Sequence, residues 1–327
     1  MRKSGLTGES LADGHTAAPE PAAAAPAGAG AASRLDIEPA VTLGRALLAN
    51  LHHVLLGAAA APIAAAVAAL SGGHLLIEDV PGVGKTVLAR ALARSLGSEL
   101  SRVQGHPDLL PSDVTGVSVF SPDTRIWEFR PGPVFAHVVL VDELNRTPPR
   151  TQSALLESME EQQVSVDGRS WPLPRPHMVI ATQNPQSQRG TFPLVESQLD
   201  RFAIATAIGY PDAATEAQLA LHQGGTFALM NLAPVCTTDG WLEAQQATES
   251  VTVTAAVATY AVDLCRASRT APGVRIGASP RAAIWLIRAA QAHAVLSARS
   301  YATPDDVKAV AAGCLGHRLI TDDGEDG

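Results

Sequence analysis

Short runs of consecutive apolar residues recur in the first two thirds of the chain, and longer mixed segments separate them. The runs that we predict to be strands are His74–Asp79, Ser101–Gln104, Val138–Val141, Met178–Ala181 and Phe202–Ile208. Apolar strands that alternate with helices are typical of a parallel sheet covered by helices on both faces. The pattern therefore predicts an α/β core over residues 34–210, with a helix over Lys85–Leu96 after the first strand.

The pattern changes to helical periodicity after Gly209–Asp212, which we interpret as a hinge. The helices predicted beyond it are Ala213–Gln223, Val253–Ser268, Pro280–Leu296 and Pro304–Leu315. Ser279 and Thr303 each place a hydroxyl immediately before a proline. That pair of residues is typical of a helix start. We therefore predict a small all-α domain over residues 211–320.

The two ends of the chain differ from the rest in composition. Residues 1–33 are rich in alanine, proline, glycine and serine, and residues 321–327 are mostly acidic. Segments of the first kind cannot bury enough apolar surface to offset the loss of chain entropy on folding. We predict a disordered tail over 1–33 and a short, solvated acidic tail over 321–327.

Composition and charge exclude several classes of protein. The chain has 327 residues, of which 46% are hydrophobic, and a formal net charge of -8. Because binding to nucleic acid requires a basic surface, the acidic balance argues against a nucleic-acid partner. No apolar stretch reaches the roughly 18–20 residues that span a bilayer, so we expect no stable membrane insertion.

Cysteine usage indicates the compartment. The 3 cysteines, Cys236, Cys265 and Cys314, are widely and irregularly spaced. Their spacing fits neither a metal motif nor a disulfide framework, which favours a reducing environment. The first residues are basic but no apolar segment of a secretory signal follows. We therefore expect a soluble, cytoplasmic protein.

A glycine-rich turn lies between the first predicted strand and its helix. The candidate nucleotide-binding residues in it are Asp79, Val80, Pro81, Gly82, Val83, Gly84, Lys85 and Thr86. Glycines let the backbone amides point at phosphate oxygens, and Lys85 can reach the β and γ phosphates. The general phosphate-loop pattern has glycine where this chain has Asp79. The alternative interpretation is a tight turn with a solvated lysine.

An acidic pair, Asp142 and Glu143, ends the third predicted strand. One carboxylate at such a position can hold Mg²⁺ through water, and a second can polarise the water that attacks a phosphate. We therefore predict ATP and Mg²⁺ as cofactors, Thr86 and Asp142 as metal ligands and Glu143 as catalytic base. The alternative is an acidic pair that only ends a strand.

Further motifs accompany these two. They span Glu78–Thr86, Pro107–Gly116, Phe129–Phe135, Asp142–Leu156, Ala181–Pro185, Glu196–Phe202 and Gly277–Arg281. Together they closely resemble the MoxR family of AAA+ ATPases, over residues 43–317. Asp79, unusual in phosphate loops generally, is ordinary for this family. The resemblance implies an α/β P-loop NTPase core of the AAA+ type, followed by a small helical lid.

The resemblance also implies roles for further catalytic residues. Asn184 resembles sensor 1, an amide that bonds the γ-phosphate and the attacking water, although it could also be an ordinary turn residue before Pro185. Arg201 resembles the arginine finger, which reaches the γ-phosphate of the neighbouring subunit. The alternative for Arg201 is an ion pair with Asp200 or Glu196.

Arg281 resembles sensor 2, which contacts phosphate in its own subunit from the start of a lid helix. Its alternative is an arginine on a helix surface. Asn145 and Arg146, just beyond the acidic pair, are candidates for a relay between nucleotide and subunit interface.

Two segments look like a working surface rather than part of the ATPase site. Residues 116–130 alternate in polarity, and Gln163–Leu173 contains Asp167–Gly168, a hairpin-turn signal. Both resemble the family's insertions, which tend to face the ring pore or a partner. The alternative is that both only extend the edge of the sheet.

These features lead to three hypotheses about function. The first is an Mg²⁺-dependent ATP-hydrolysing ring, a homo-oligomer that we expect to be a hexamer. Its role would be chaperone-like, in maturation of or cofactor insertion into a partner protein with a von Willebrand factor A domain. The second is an assembly switch that binds ATP with little hydrolysis. The third is the motor subunit of a magnesium-chelatase-like metal insertase.

Overall fold

A computed structural model describes residues 36–184, 190–221 and 226–321 of the chain. The tail predicted over 1–33, Pro185, the end of the helix predicted over Ala213–Gln223 and residues 322–327 of the acidic tail lie outside the described residues.

Helices and strands alternate along the first part of the chain, and helices dominate the last part. In chain order the helices are α1 (Glu38–Val54), α2 (Ala60–Leu70), α3 (Lys85–Ser95), α4 (Pro111–Thr115), α5 (Pro149–Glu161), α6 (Glu196–Leu199), α7 (Ala213–Leu221), α8 (Thr226–Met230), α9 (Thr238–Glu249), α10 (Ala255–Ser268), α11 (Pro280–Leu296) and α12 (Pro304–Leu315). The strands are β1 (Leu75–Glu78), β2 (Leu100–Gln104), β3 (Gly116–Ser121), β4 (Ile126–Pro131), β5 (Val138–Asp142), β6 (Gln163–Val166), β7 (Arg169–Pro172), β8 (Met178–Gln183), β9 (Ile204–Thr206), β10 (Val274–Ile276) and β11 (Ile320–Thr321).

The central sheet has 5 parallel strands in the order β2-β5-β8-β1-β9. All the strands predicted from apolar runs belong to it, so the predicted parallel sheet is confirmed. The order is not sequential. From β1 the chain crosses to β2 at one edge of the sheet, then adds β5 and β8 between β2 and β1, and finally adds β9 on the other side of β1. Strand order reverses at β1, and open α/β sheets bind ligands at such a point.

Both faces of the sheet are buried, as the unbroken apolar runs predicted. Leu75, Ile77 and Leu140 lie in a core shared with helices α1 to α3. Leu76 and Val139 point the other way, into a second core that includes residues of α5. This alternation follows from the period of two in a strand. The two cores fix the sheet as the rigid support on which loops are presented.

Helix α2 joins the sheet to the helical domain. Its alanines, including Ala65, Ala66 and Ala69, are fully buried, and the helix contacts β9, α9 and α11. The indole of Trp241 on α9 is fully buried and its Nε1 donates a hydrogen bond to the Ala69 carbonyl at 2.9 Å. Small side chains allow this close approach of helices on both sides. The sequence did not lead us to predict this helix, because its alanine runs were considered only as a membrane span and excluded.

The helical domain contains the four helices predicted for it, with small shifts at their ends, together with α8 and α9. Ser279 caps α11 as predicted, since its hydroxyl accepts a hydrogen bond from the Ala282 amide. Helix α9 was missed, although Thr237 caps it by accepting from Gly240. Its sequence mixes polar and small residues, so its apolar face is narrow.

The two predicted hairpins are present and form separate antiparallel sheets, β3-β4 and β6-β7. They therefore do not extend the edge of the central sheet. Asp167 and Gly168 have φ of 51° and 72°, as a tight two-residue hairpin turn requires. The hairpins adjoin through Phe129 and Trp171, whose rings stack with centroids 4.5 Å apart.

Within the described residues, no helix is both long and apolar enough to cross a membrane. The cysteines are free thiols, and the same residues contain no cluster of metal-ligating side chains.

A buried carboxylate holds the end of the helical domain together. The Asp306 side chain is 1% exposed and accepts hydrogen bonds from Arg299, His293 and the Thr303 amide. Burial alone would raise the pKa of Asp306, but the hydrogen bonds from Arg299, His293 and Thr303 outweigh it and lower the pKa well below the ordinary value.

We expect Asp306→Asn to destabilise the protein by about 2–4 kcal/mol at neutral pH, because it breaks a buried ion pair. Since the folded pKa is depressed, the stabilisation is fully present above the unfolded pKa of about 4 and is lost progressively as pH falls from there through the folded pKa, so that it is partly lost at pH 3. Urea unfolding at pH 7 and pH 3 measures this. The control is Asp305→Asn, whose exposed carboxylate pairs with Lys308. Equal effects of the two variants would contradict the prediction.

Candidate nucleotide-binding site

Most of the predicted site residues of the core, but not Arg201, meet where β1, β5 and β8 end. Parallel strands place their carboxyl ends at one edge of the sheet. A cavity of about 340 Å³, which we call the polar cavity, lies at that edge. It is lined by Pro81, Gly82, Gly84, Lys85, Thr86, Val87, Arg102, Gln104, Asp142, Glu143, Thr182 and Asn184. The structure thus brings together the glycine turn, the acidic pair and Asn184.

The glycine turn has the conformation of a phosphate loop. Gly82 and Gly84 have φ of 88° and 104°, which side chains of other residues disfavour. A Cβ at either position would meet no atom within 4 Å, so glycine is needed for backbone conformation and not for space. Helix α3 starts at Lys85, immediately after the turn. Its N-terminal amides and positive end therefore face the polar cavity, a geometry that binds anions.

Lys85 is held inside the site. Its ammonium donates to the carbonyls of Asp79 and, at 3.4 Å, Gln183. Burial lowers the pKa of Lys85, and the nearby carboxylates, Asp142 among them, partly offset this. These contacts do not fit the alternative of a solvated lysine in a tight turn.

Asp142 is buried and pairs with Arg102, a residue that was not predicted from the sequence. Arg102 Nε donates to Asp142 Oδ2 at 2.7 Å, and the Thr182 hydroxyl lies 3.4 Å from Oδ1. Arg102 and Thr182 belong to β2 and β8, the neighbours of β5 on either side. Only strand order places them beside Asp142, although Arg102 is the one charged residue of β2 and could have been noticed.

Glu143 has a left-handed backbone with φ of 56°, which is uncommon for a non-glycine residue and is often found at functional sites. Its amide donates to the Thr182 hydroxyl at 3.0 Å, and its carboxylate pairs with Arg146 at 2.9 Å. A Cβ on Gly105 would lie 2.2 Å from the Glu143 carbonyl oxygen. This close approach explains the glycine that follows β2. Arg146 thus contacts the predicted base directly.

A second cavity of about 260 Å³ adjoins the polar cavity across the glycine turn. We call it the apolar cavity; its walls are residues 54–58 from the α1–α2 connection, the turn residues Gly82, Val83 and Gly84, and Val87, Ile208, Gly209, Pro211 and Leu219. Gly82, Gly84 and Val87 line both cavities. This cavity was not predicted from the sequence, because its walls come from segments that are far apart in the chain.

Asp79 and Val80 line neither of these two cavities. The Asp79 carboxylate accepts hydrogen bonds from backbone amides, of Val80 on one oxygen and of Ile208 and Gly209 on the other. Asp79 was predicted as a nucleotide-binding residue, and the structure places its side chain against the predicted hinge.

The two predicted arginines lie together, apart from the glycine turn. Arg201 and Arg281 line a third cavity of about 300 Å³, the arginine cavity, with Arg288 and Glu160. Glu160 pairs with Arg201 at 3.2 Å and also with Arg281. Arg201 therefore has an ion-pair partner other than the Asp200 or Glu196 considered from sequence.

The position of Arg281 differs from the expectation that it contacts phosphate in its own subunit. The arginine cavity shares no lining residue with the polar cavity. The physical reason is a cluster around the half-buried Asp200, in which Arg318 is buried. Its carboxylate accepts from Arg318 at 2.8 Å and from the Ser279 hydroxyl at 2.9 Å. Because Ser279 caps α11, this cluster holds Arg281 beside the loop that carries Arg201.

Known proteins match the chain over most of its length. Family models match residues 74–204, the ATPase family associated with various cellular activities (AAA), and residues 266–327, the AAA lid domain. The uncharacterized protein YeaC of Bacillus subtilis is 44% identical over 87% of this chain and 88% of its own length. The chaperone MoxR1 of Mycobacterium tuberculosis is 35% identical over 97% of this chain and 84% of its own length.

Solved structures match as well. A crystal structure from Cytophaga hutchinsonii, of a protein provisionally named an ATPase, is 33% identical with a TM-score of 0.80. The match covers 88% of this chain and 93% of that one.

A parallel sheet with a phosphate loop at its carboxyl edge, followed by a helical lid, defines an AAA+ ATPase. Within that class the chain belongs to the MoxR family, to whose members it is similar over most of its length. The resemblance and the fold class expected from the sequence are thus confirmed.

The separation of the cavities predicts different effects of two cationic residues on ATP binding by isolated subunits. Lys85→Ala should weaken binding by about a hundredfold or more, because Lys85 lies in the polar cavity. The ATP affinity of Arg281→Ala should stay within about twofold of wild type, because the Arg281 guanidinium lies outside that cavity. Titration with a fluorescent ATP analogue, at protein concentrations below subunit association, measures both. The exposed Arg266→Ala is the control, and a large loss in Arg281→Ala would favour contact within one subunit.

Proposed function

We propose that the protein is an Mg²⁺-dependent ATP-hydrolysing ring that remodels a partner protein. The observation that carries this proposal is the division of the predicted catalytic residues between two cavities. Lys85, Asp142 and Glu143 line the polar cavity, whereas Arg201 and Arg281 line the arginine cavity. A site divided in this way is complete only when the arginine cavity of one subunit meets the polar cavity of another.

The polar and apolar cavities suit the parts of ATP. The loop amides and Lys85 would hold the β and γ phosphates, and the apolar cavity would receive the base. Thr86 and Asp142 offer a hydroxyl and a carboxylate oxygen in the same cavity, which are ligands that Mg²⁺ prefers. When bound there, Mg²⁺ would neutralise charge on the β and γ phosphates.

Hydrolysis would depend on Glu143 and Asn184. Glu143 would accept a proton from the attacking water, and the Asn184 amide would orient that water against the γ-phosphate. Because Glu143 is paired with Arg146, its carboxylate must leave this arginine before it can act. Arg146 would therefore couple the base to movements of the neighbouring loop, in agreement with the predicted relay.

We propose a hexameric ring in which Arg201 and Arg281 both come from the neighbouring subunit. Two guanidiniums held side by side would offset charge that develops on the transferred phosphoryl group. This revises the role of Arg281 from a contact within one subunit to a contact between subunits.

The client would bind at the hairpins. A cavity of about 540 Å³ lies between them. Aromatic and aliphatic residues line it, among them the largely exposed Ile126 and Trp127, together with the polar residues Ser118, Asp167 and Arg169. A relative is named as a chaperone, which supports a protein client. From the family resemblance we propose a client with a von Willebrand factor A domain, matured or loaded with a cofactor in the cytoplasm.

One observation favours the second hypothesis, an assembly switch with little hydrolysis. Both carboxylates of the acidic pair are paired with arginines, Asp142 with Arg102 and Glu143 with Arg146. If these pairs persist with ATP bound, neither carboxylate is free for hydrolysis. Steady-state phosphate release by the purified protein decides between the two.

We expect Glu143→Gln to keep ATP affinity within about threefold of wild type and to lose at least about 99% of turnover, because an amide cannot accept the proton. Phosphate-release assays and ATP titration measure the two effects. Glu161→Gln, which alters an exposed carboxylate of α5, is the control. Substantial turnover by Glu143→Gln would contradict the assignment of the base.

Mixed rings test the site between subunits. Arg201→Ala and Glu143→Gln should each be inactive alone, since each lacks one part of every composite site. A mixture contains interfaces at which an intact Glu143 meets an intact Arg201, so about a quarter of wild-type turnover should return at equal amounts under random assembly. Phosphate release across mixing ratios measures this, and its absence at every ratio would contradict an arginine supplied by the neighbour.

A further inference from the structure

Asp79 stands at the first position of the phosphate loop, where the general pattern has a glycine, and its side chain has a defined set of partners. One carboxylate oxygen accepts from the Val80 amide at 2.7 Å. The other accepts from the amides of Ile208 and Gly209 at 2.7 Å and 2.8 Å. A carboxylate that accepts short hydrogen bonds from amides forms stronger bonds than a neutral acceptor. A glycine at this position could form none of them.

These hydrogen bonds join segments far apart in the chain. Asp79 belongs to the loop after β1, whereas Ile208 and Gly209 follow β9 and lead to α7. β1 and β9 are hydrogen-bonded neighbours in the sheet, so their carboxyl ends lie side by side. The Asp79 carboxylate continues the pairing of the two strands beyond their last backbone hydrogen bonds.

The segment that Asp79 holds forms a wall of the apolar cavity, because Ile208 and Gly209 both line it. The opposite wall is close. A Cβ on Gly57 would lie 3.1 Å from Cβ of Pro211, only two residues beyond Gly209. The width of the apolar cavity therefore depends on where the 208–211 segment lies relative to its other two walls, the α1–α2 connection and the phosphate loop.

Asp79 thus has separate connections to the two cavities. Its backbone carbonyl accepts from the Lys85 ammonium, on the side of the polar cavity. Its carboxylate faces the amides of the 208–209 segment, on the side of the apolar cavity. Replacing the side chain leaves the carbonyl in place, so the two connections can be separated by mutation.

We propose that Asp79 is a positioning residue that holds the 208–209 segment against the phosphate loop and so sets affinity for the nucleotide base. This rests on the proposed function, in which the apolar cavity receives the base. Asp79 contacts no part of the nucleotide through its carboxylate and acts through the backbone that it fixes.

The test compares two ligands, ATP and inorganic tripolyphosphate, which has the phosphates without the base. Binding of each to the full chain is measured by calorimetry in the presence of Mg²⁺. Asp79→Ala should weaken ATP binding by about tenfold and change tripolyphosphate binding by less than about twofold. Asp79→Asn should weaken ATP binding by about threefold, since its amide oxygen can still accept from the 208–209 segment.

Two controls make the result specific. Asp263→Ala, at an exposed position of α10, should alter neither affinity, whereas Lys85→Ala should weaken both. Thermal unfolding of each variant establishes that it is folded, and Asp79→Asn keeps the test available if Asp79→Ala does not fold.

Equal weakening of ATP and tripolyphosphate in Asp79→Ala would overturn the proposal, because Asp79 would then act on phosphate binding. Unchanged ATP affinity would overturn it as well, because the 208–209 segment would not depend on the carboxylate. Wild-type protein that binds neither ligand would contradict the proposed function itself, and this inference with it.

Discussion

The burial of a parallel sheet on both faces is the constraint on which the rest of the molecule depends. Side chains on both faces of the sheet are buried in the two cores. Polar side chains that act on a ligand can therefore lie only at the edges where strands end. The strand order places the ends of β1, β5 and β8 next to one another. The phosphate loop, the acidic pair and Asn184 therefore meet in one cavity although long stretches of chain separate them.

A second constraint comes from the cluster around Asp200, which holds Arg281 apart from the phosphate loop of the same chain. Arg318 is nearly inaccessible to water and donates to the Asp200 carboxylate and to the carbonyl of Phe202. The Ser279 hydroxyl donates a hydrogen bond to the same carboxylate and also caps α11, the helix that carries Arg281. A buried cation with its partners fully bonded resists rearrangement, because separating the charges would leave them unpaired. The lid and the arginine cavity are thereby held together, away from the phosphate loop of the same chain.

Much of the fold and part of the site could be predicted because their signals are local. Strand–turn–helix at the phosphate loop, the Asp167–Gly168 hairpin turn and the Ser279 cap each depend on a few consecutive residues, and all are present. Helix α2 was missed because alanine side chains carry little periodicity. Arg102 was missed because its partner, Asp142, lies on the neighbouring strand and is far from it along the chain.

The sequence by itself determined the class of fold, the family and the residue types that line the polar cavity, because glycine conformation, strand burial and helix caps act over short distances. Tertiary structure alone decided which of these residues share a cavity. It placed Ile208 and Gly209 against Asp79, and Arg281 beside Arg201 and Glu160. Such contacts follow from strand order and from how the lid packs, and these depend on the summed burial of many side chains, which no short segment encodes.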